Sequence, residues 1–309
     1  HLHIPGQNAP VVRCYSLSDS SHPDYYRVSI KRVPPPRNAP DAPAGLSSNY
    51  FHDHVNVGTI LDVSTPAGAF YLDMTDERPV VLIGGGVGLT PVVSMLNTIV
   101  ESESSRETWF FYGVRNKSEH AMKQHLEDLA SAHDNIHLHI CYSNPTDDCV
   151  QGQDYAHAQR VSVELFKSLL PSNNYEFYMC GPPPMMDSIV KDLKSWGVPK
   201  SSINLEAFGP AAGTKVVKKV NPNATGPKVT LNRNGKAANW DDSAQTLWKF
   251  ADSMGATIPI GCGKGSCGTC LTAIISGEVQ YESPPDFECE AGSCLVCCCK
   301  PKGEITLDA

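Results

Sequence analysis

The sequence has no long apolar run and no excess of positive charge. No apolar stretch approaches the roughly 20 residues that a membrane-spanning helix needs, so no membrane segment is predicted. Acidic residues (33 Asp and Glu) outnumber basic ones (25 Lys and Arg), and the net charge of −8 argues against nucleic acid as a partner. With 309 residues, 41% hydrophobic and 19% charged, the composition is that of an ordinary globular protein of two or three domains.

Twelve cysteines are present, and neither structural zinc nor a disulfide framework is the favoured explanation of the main cysteine loop. Structural zinc usually requires two separated C-x2-C pairs, which the main cysteine loop does not have. Disulfide frameworks belong to small secreted domains rather than to a chain of this length. We therefore expect a reducing compartment, the cytoplasm, and a metal cofactor held by thiolates.

Three of these cysteines lie in a glycine-rich loop with the spacing C-x4-C-x2-C. They are Cys262, Cys267 and Cys270, and the segment 261–268 also contains four glycines. This is the plant-type spacing for a [2Fe–2S] cluster. The glycines allow sharp turns and a close approach of backbone amides to the cluster sulfurs. The sequence therefore predicts a [2Fe–2S] cluster, with a fourth thiolate supplied from further along the chain.

The fourth ligand is not decided by spacing. Five cysteines follow the loop: Cys289, Cys294, Cys297, Cys298 and Cys299. The surrounding residues, 227–309, have the pattern of an α+β domain. A strand at Lys228–Asn232 precedes the hairpin signal Asn234-Gly235. A helix capped by Ser243 and ended by Gly255 is then predicted from apolar residues at i, i+3, i+4 and i+7.

Residues 78–210 alternate strand and helix patterns. The apolar run Pro79–Ile83 is typical of a parallel strand that is buried on both faces. The glycine turn Gly84–Pro91 follows it and leads into a helix, an order that forms a phosphate cradle. Further strands are predicted at Trp109–Arg115 and Ile136–Cys141, and a helix at Ala121–Ala130.

Residues 1–77 are rich in strand patterns. Strands are predicted at Val28–Lys31 and Gly58–Ser64. The stretch Gly45–Asp53 indicates a glycine turn, a serine N-cap and a short helix whose first amides can bind phosphate. Residues 211–226 mix Gly, Asn, Pro and Lys and are predicted to be a linker.

Four segments together resemble the ferredoxin-reductase superfamily, in particular reductases of the phthalate dioxygenase reductase type. Arg13–Ser18 resembles its R-x-Y-S signature, and Tyr175–Met186 contains its C-G-P-x-x-M turn. The segment Leu295–Asp308 is similar to the end of plant-type ferredoxin domains, and Gly45–Phe70 to the flavin domain of flavohaemoglobins. The resemblance implies a multidomain fold: a partial β-barrel flavin domain (1–77), an α/β parallel-sheet nucleotide domain (78–210) and an α+β β-grasp ferredoxin domain (227–309).

The resemblance also implies roles for individual residues. Arg13 would pair with the flavin phosphate and Tyr15 would pack on the isoalloxazine. Three residues are implied to be catalytic: Ser16 near flavin N5, Cys180 at the nicotinamide and Phe208 near the flavin ring. The implied cofactor-binding residues are Arg13, Cys14, Tyr15, Ser16, Lys31, Gly45, Ser47, Ser48, Gly86, Val87, Gly88, Thr90, Pro91, Gly113, Arg115, Cys180, Gly181, Pro182 and Met185.

In the ferredoxin segment the resemblance selects Cys297 as the fourth cluster ligand. The metal ligands are then Cys262, Cys267, Cys270 and Cys297, with Cys298 and Cys299 as bystanders. The family's flavin barrel has six strands and usually begins upstream of the R-x-Y-S strand. Here that strand stands near the start, so we expect a flavin barrel of which about half is absent.

The implied function is electron transfer from NADH through FAD to the [2Fe–2S] cluster and on to an oxygenase or another acceptor, either a partner protein or a fused domain. FMN is the alternative flavin. NADH is favoured because Asp147 and Asp148 would repel the 2′-phosphate of NADPH. NADPH is the alternative nucleotide, because Arg115 would attract that phosphate. Two other interpretations stay open: a non-enzymatic electron carrier or redox sensor, and the reductase end of a larger fused enzyme.

Overall fold

A computed structural model of the chain forms two compact units. Unit 1 comprises His1–Tyr15, Arg32–Ala69 and Gly209–Ala309, and unit 2 comprises Ser16–Lys31 and Phe70–Phe208. The structure describes residues 2–4, 11–35, 39–63, 65–206, 208, 221, 223–256, 258–261, 263–266, 268–285 and 287–309. Most of the predicted linker 211–226 lies outside these described residues.

The N-terminal part of unit 1 contains three short strands and one helix. They are β1 (Leu2–Ile4), β2 (Val11–Arg13), α1 (Leu46–His54) and β3 (Asp62–Val63). The strands form an antiparallel sheet in the order β2-β1-β3. The strand predicted at 58–64 is only two residues long in its described part, because nearby Ile60 is almost fully exposed and offers no buried face to a longer strand.

Two further local predictions for the first 77 residues are wrong. The N-cap of α1 is Gly45, without a side-chain cap, rather than a serine. Ser48 lies inside the helix, where its hydroxyl donates to the Gly45 carbonyl at 3.2 Å and accepts from the Val33 amide at 3.1 Å. The predicted strand Val28–Lys31 is reduced to a single antiparallel bridge between Leu17 and Val28 in unit 2.

The centre of unit 2 is a five-stranded sheet in which every pairing is parallel. Its strands are β4 (Val80–Gly85), β5 (Thr108–Val114), β6 (Ile136–Tyr142), β7 (Glu176–Cys180) and β8 (Ile203–Glu206), in the order β6-β5-β4-β7-β8. Every residue of β4 is buried, as its continuous apolar run predicts.

Helices cover both faces of this sheet. They are α2 (Leu89–Glu101), α3 (Lys123–Ala132), α4 (Val163–Leu169) and α5 (Pro183–Ser195). Leu82 packs in one core with residues of α2 and α3, whereas Ile83 packs in a second core with residues of α4 and α5. Successive residues of a strand point to opposite faces, so β4 contributes to both cores. Helix α3 begins two residues later than predicted, after Met122 in a left-handed conformation.

The C-terminal part of unit 1 has the order of a β-grasp domain. Its elements are β9 (Lys228–Leu231), β10 (Lys236–Asn239), α6 (Leu247–Ser253), β11 (Leu271–Ser276), β12 (Val279–Tyr281), β13 (Ser293–Leu295), β14 (Cys299–Pro301) and β15 (Ile305–Leu307). The main sheet has the order β10-β9-β15-β11-β13, with β9 and β15 parallel, and β12 pairs with β14. The predicted hairpin at Asn234-Gly235 joins β9 and β10.

The predicted cap of α6 is wrong. Thr246, not Ser243, is the N-cap, and its hydroxyl accepts a hydrogen bond from the Lys249 amide at 3.3 Å. Ser243 lies in a preceding 3₁₀ turn that is closed by the Asp241 carboxylate. Of the helices in the described part of the chain, none is both long and apolar enough to cross a lipid bilayer.

Candidate functional site

The carboxyl edge of the unit 2 sheet carries a glycine turn between β4 and α2. A Cβ on Gly88 would lie 2.1 Å from the carbonyl oxygen of Cys180, so only glycine allows this turn to touch the end of β7. Gly86 has φ +54°, and its carbonyl accepts a hydrogen bond from the buried Tyr112 hydroxyl at 3.2 Å. The hydroxyl of Thr90 donates to the Val87 carbonyl at 3.2 Å.

This geometry fits a dinucleotide pyrophosphate. The turn leads directly into the N-terminus of α2, a helix of 13 residues, whose first amides and dipole favour an anion. In open parallel sheets, ligands bind at the carboxyl ends of the strands. The predicted residues Gly86, Val87, Gly88, Thr90 and Pro91 all belong to this turn or to the first turn of α2.

Three polar residues meet where β7 and β8 end. Cys180, the last residue of β7, is fully buried and pairs in register with Glu206, the last residue of β8. Burial, and secondarily the charge of Glu206, raise the pKa of the Cys180 thiol. The Ser16 hydroxyl donates to Glu206 Oε2 at 2.8 Å. The structure thus brings two of the predicted catalytic residues together through Glu206.

Sequence reasoning missed Glu206 and assigned the segment's role to Phe208. Phe208 is half-buried and lies two residues beyond the end of β8, and its catalytic role stays a prediction. The signal available in the sequence was an acidic residue at the carboxyl end of a parallel strand. That position alone places a carboxylate at the ligand-binding edge of the sheet.

The turn after Cys180 is packed against the glycine turn. A Cβ on Gly181 would lie 2.5 Å from Met185 Cε, and a Cβ on Gly85 would lie 2.8 Å from both Met185 and Pro182. Pro182 is the N-cap of α5, and its fixed φ suits the start of a helix. The turn after Cys180 and the glycine turn after β4 therefore pack so closely that their backbones are in contact.

Two cations at the neighbouring edge of β5 and β6 are matched by acidic groups. Arg115 is exposed, and its Nη1 lies 4.0 Å from Glu119 Oε1. Lys117 Nζ donates to the Asp148 backbone carbonyl at 2.6 Å and lies 2.7 Å from its carboxylate. The predicted residue Gly113 is the second-last residue of β5. A Cβ on Gly113 would lie 3.0 Å from the side chain of Val161.

In unit 1, the predicted flavin residues include a tyrosine tied to α1. The hydroxyl groups of Tyr15 and Ser47 are 2.7 Å apart, and the Tyr15 ring meets the ring of Phe51 edge to face at 5.7 Å. Burial raises the pKa of Tyr15, which keeps the phenol protonated. A half-buried aromatic ring with a fixed orientation, next to buried serines at a helix start, fits a flavin.

Other predicted flavin residues have different surroundings. Ser48 is buried and uses its hydroxyl within the loop, accepting from the Val33 amide at 3.1 Å. Gly45 is required there, because a Cβ would lie 2.8 Å from Ser48 Oγ and from Val33 Cβ. Lys31 and Cys14 are exposed, and Arg13 is half-buried.

The structure describes only part of the predicted cluster-binding set of cysteines. Cys262 and Cys267 lie outside the described residues. Cys270 and Cys297 are both buried, and a hydrogen bond between their thiols, together with burial, raises the pKa of Cys270. Two thiols held together in this way fit a shared metal centre, where both would be deprotonated thiolates.

The remaining described cysteines of this region have other partners. A hydrogen bond with Cys294, followed by burial, raises the pKa of Cys299, and both residues are fully buried. Cys298 is half-buried, and its thiol donates to the Leu295 carbonyl at 3.5 Å. The contact between Cys297 and Cys270, a predicted loop ligand, supports the prediction of Cys297 as a ligand.

Glycines in the cluster loop are enforced by packing. Gly268 has φ +71°, and a Cβ there would lie 2.5 Å from the ring of Phe287. Gly265 has φ +83°, and its Cβ would lie 2.7 Å from Cys298 Sγ. The loop can therefore make close turns only with glycine at these two positions.

Comparisons with known proteins agree with this geometry. Residues 82–191 match the family described as oxidoreductase NAD-binding domain, and residues 229–302 match the 2Fe-2S iron-sulfur cluster binding domain. The FAD/NAD-binding domain of nitric oxide dioxygenase from Vibrio cholerae is 32% identical, with a TM-score of 0.58, over 68% of this chain and 83% of that one. The chain belongs to the ferredoxin-reductase superfamily.

Two other proteins are similar to this chain over different lengths. A flavohemoprotein of Bacillus cereus is 41% identical over 211 residues, which are 68% of this chain and 52% of that protein. The chain therefore spans about half the length of the curated relatives it matches. Phthalate dioxygenase reductase shares the fold over 100% of this chain and 86% of its own, with 24% identity and a TM-score of 0.55.

The family, the multidomain fold class and the cofactor set of NADH, FAD and a [2Fe–2S] cluster predicted from the sequence are confirmed by these comparisons. The chain is an oxidoreductase of this superfamily with a nucleotide-binding domain and an iron–sulfur domain. The roles of individual site residues stay predictions, and two of them lead to direct tests.

The first test concerns the fourth cluster ligand. We expect Cys297→Ser to abolish or shift the absorbance and electron paramagnetic resonance signals of the cluster, because a thiolate ligand is lost. Cys299→Ser, whose partner is Cys294, should leave both signals and the iron content unchanged. The assignment of Cys297 is wrong if the two variants show the opposite pattern.

The second test concerns Cys180. Hydride transfer depends on positioning, so we expect Cys180→Ala to slow anaerobic flavin reduction by NADH by about ten- to a thousandfold. Cys141→Ala is the matched control, because Cys141 is also fully buried near the carboxyl end of a parallel strand of the same sheet, β6, which β5 and β4 separate from β7. Stopped-flow absorbance measures both rates. An unchanged rate in Cys180→Ala would make Cys180 a packing residue only.

Proposed function

We propose that the chain is an NADH-dependent reductase that passes electrons through FAD and a [2Fe–2S] cluster to an acceptor protein or fused domain. When bound, these groups supply hydride transfer, the change from two-electron to one-electron transfer, and single-electron carriage. Within the chain we assign flavin binding to 1–77, NAD binding to 78–210 and cluster binding to 227–309, with 211–226 as a linker.

The residues of unit 2 bind and orient the nucleotide in this proposal. The amides at the start of α2 bind the pyrophosphate, and Gly88 allows the turn to reach the end of β7. Cys180 provides a small, protonated side chain that limits where the nicotinamide can lie. The Ser16 hydroxyl donates a hydrogen bond to Glu206 Oε2, which fixes the orientation of that hydroxyl at the carboxyl edge of the sheet.

One contact within unit 1 supports electron transfer from the flavin to the cluster in this proposal. Cys14, in the predicted flavin motif, has its Sγ 3.9 Å from Oγ1 of Thr269, in the cluster loop. A Cβ on Gly68 would also lie 4.0 Å from the Ser266 carbonyl of the same loop. Because single-electron transfer becomes faster as centres approach, a flavin held by this motif would be well placed to reduce the cluster.

For the acceptor we propose an oxygenase component, as the name of phthalate dioxygenase reductase suggests for that protein. The proposed location is the cytoplasm, because a chain of 309 residues with twelve cysteines, three of them in a loop with cluster-ligand spacing, suits a metal cofactor in a reducing compartment.

An anaerobic absorbance spectrum tests the function directly. Purified protein should show flavin and [2Fe–2S] bands, and NADH should bleach the flavin band and then reduce the cluster. Adding dithionite alone to the same sample measures the reducible cluster independently. A cluster that dithionite reduces but NADH does not, in protein without bound flavin, would instead identify a non-enzymatic electron carrier.

The preference for NADH is supported by the ion pairs at the edge of β5 and β6. A 2′-phosphate needs cations that are available to it, but Lys117 is held by Asp148 and Arg115 faces Glu119. Both acids would also repel a phosphate dianion at short range. These pairs support NADH as the preferred nucleotide, a choice on which Arg115 and the acidic residues disagree in the sequence.

Removing these two acidic charges should improve the use of NADPH. We expect the double variant Glu119→Gln, Asp148→Asn to raise kcat/KM for NADPH by about three- to tenfold at low salt, with a smaller effect at 0.5 M salt because charges are screened. The matched control is Asp134→Asn, an exposed acid directly before β6 and therefore at the opposite edge of the sheet. An equal gain in the control, or no gain in the double variant, would contradict the proposal.

A further inference from the structure

A histidine and two carboxylates converge at the C-terminal end of α2. His22 Nε2 lies 3.7 Å from Asp19 Oδ2 and 3.6 Å from Oε1 of Glu101, the last residue of the helix. All three ligand atoms lie within 4.8 Å of one another. The helix rises about 1.5 Å per residue, so this group is roughly 18 Å from the nucleotide-binding end of α2. The proposed electron transfer does not use it.

The two oxygens of Asp19 have different surroundings. Oδ1 accepts hydrogen bonds from the Ser20 amide at 3.1 Å and from Asn97 Nδ2 at 2.8 Å, and it lies 3.1 Å from Arg27 Nη2. Asn97 is oriented in turn by His125, whose Nε2 is 2.8 Å from its side-chain oxygen. Oδ1 is therefore occupied by donors, and the carboxylate is held with Oδ2 facing His22.

The imidazole of His22 is also held in place. It stacks on the Tyr25 ring with centroids 4.3 Å apart, and the Tyr25 hydroxyl donates to Asp19 Oδ2 at 3.3 Å. Nε2 faces a third oxygen, Ser20 Oγ, at 3.1 Å. One ring nitrogen thus faces three oxygens, two of them on carboxylates. These oxygens and the ring nitrogen are donor atoms that could surround a cation.

We propose that Asp19, His22 and Glu101 bind a divalent transition-metal ion of the zinc class. One imidazole nitrogen and two carboxylate oxygens, with water in the fourth position, form a common tetrahedral donor set. Bonds of about 2.0–2.1 Å place neighbouring ligand atoms about 3.4 Å apart, so distances of 3.6 and 3.7 Å need only small shifts.

The surroundings favour this cation. Carboxylate ligands of metals are themselves hydrogen-bonded, as Asp19 is through Oδ1. The C-terminal end of α2 carries the negative end of the helix dipole. Arg27 opposes a second cation, but it pairs with Oδ1 rather than with Oδ2. The exposed fractions of the side chains rise from 10% at Asp19 to 24% at His22 and 47% at Glu101, which leaves a path for entry.

Zinc binding by the holoprotein tests the proposal. Protein with its flavin and cluster intact is dialysed against chelator-buffered Zn²⁺, and bound zinc and iron are counted by mass spectrometry. We expect the wild type to bind about one more zinc ion per chain than His22→Gln does. The affinity for zinc should fall at least tenfold in both His22→Gln and Glu101→Gln. Iron content must stay constant, which excludes replacement of the cluster.

Two variants outside the group serve as controls. Glu103→Gln removes an exposed acid two residues beyond Glu101, and His133→Gln removes a histidine that is not part of the group. Both should bind zinc as the wild type does. The proposal fails if wild type and His22→Gln bind equal zinc, or if the control variants lose it as well.

Discussion

A backbone contact between the glycine turn and the end of β7 determines the geometry of the nucleotide edge. Any side chain at Gly88 would overlap the Cys180 carbonyl, and a peptide group in the middle of a parallel sheet cannot move aside. The contact fixes the distance between the phosphate-binding turn and Cys180. Register pairing then places Glu206 beside Cys180, and a hydrogen bond places Ser16 beside Glu206. The close packing at Gly88 thus helps to fix the positions of Cys180, Glu206 and Ser16.

The parts of this edge that could be predicted are those encoded locally. An apolar run followed by a glycine turn specifies a buried strand and a helix start within a dozen residues. Glu206 could not be identified in the same way, because its role arises from pairing with a strand that ends 26 residues earlier in the chain. Ser243 and Thr246 show the same limit at short range. Both residue types are good helix caps, and the Asp241 turn decides between them by engaging Ser243.

The cysteines illustrate how topology divides residues that look alike in the sequence. Cys297 and Cys299 are separated by a single residue, but β14 begins at Cys299 and directs it into the core beside Cys294. Cys297 precedes that strand and its thiol meets Cys270 at the end of the cluster loop. Spacing predicts the loop ligands, whereas the prediction of Cys297 rests on a resemblance and is supported by its contact with Cys270.

Helix α2 connects the two charged sites of unit 2. Its N-terminus lies at the glycine turn, where the positive end of the dipole favours a pyrophosphate, and its C-terminal residue Glu101 faces Asp19 and His22, where the negative end favours a cation. Asp19 belongs to the segment that begins with Ser16, and Asn97 of α2 is bonded to it. An ion bound there would therefore fix, through α2, the segment whose first hydroxyl group reaches Glu206. Metal binding at one end of the helix would then restrict motion of a residue at the nucleotide edge without contacting the nucleotide.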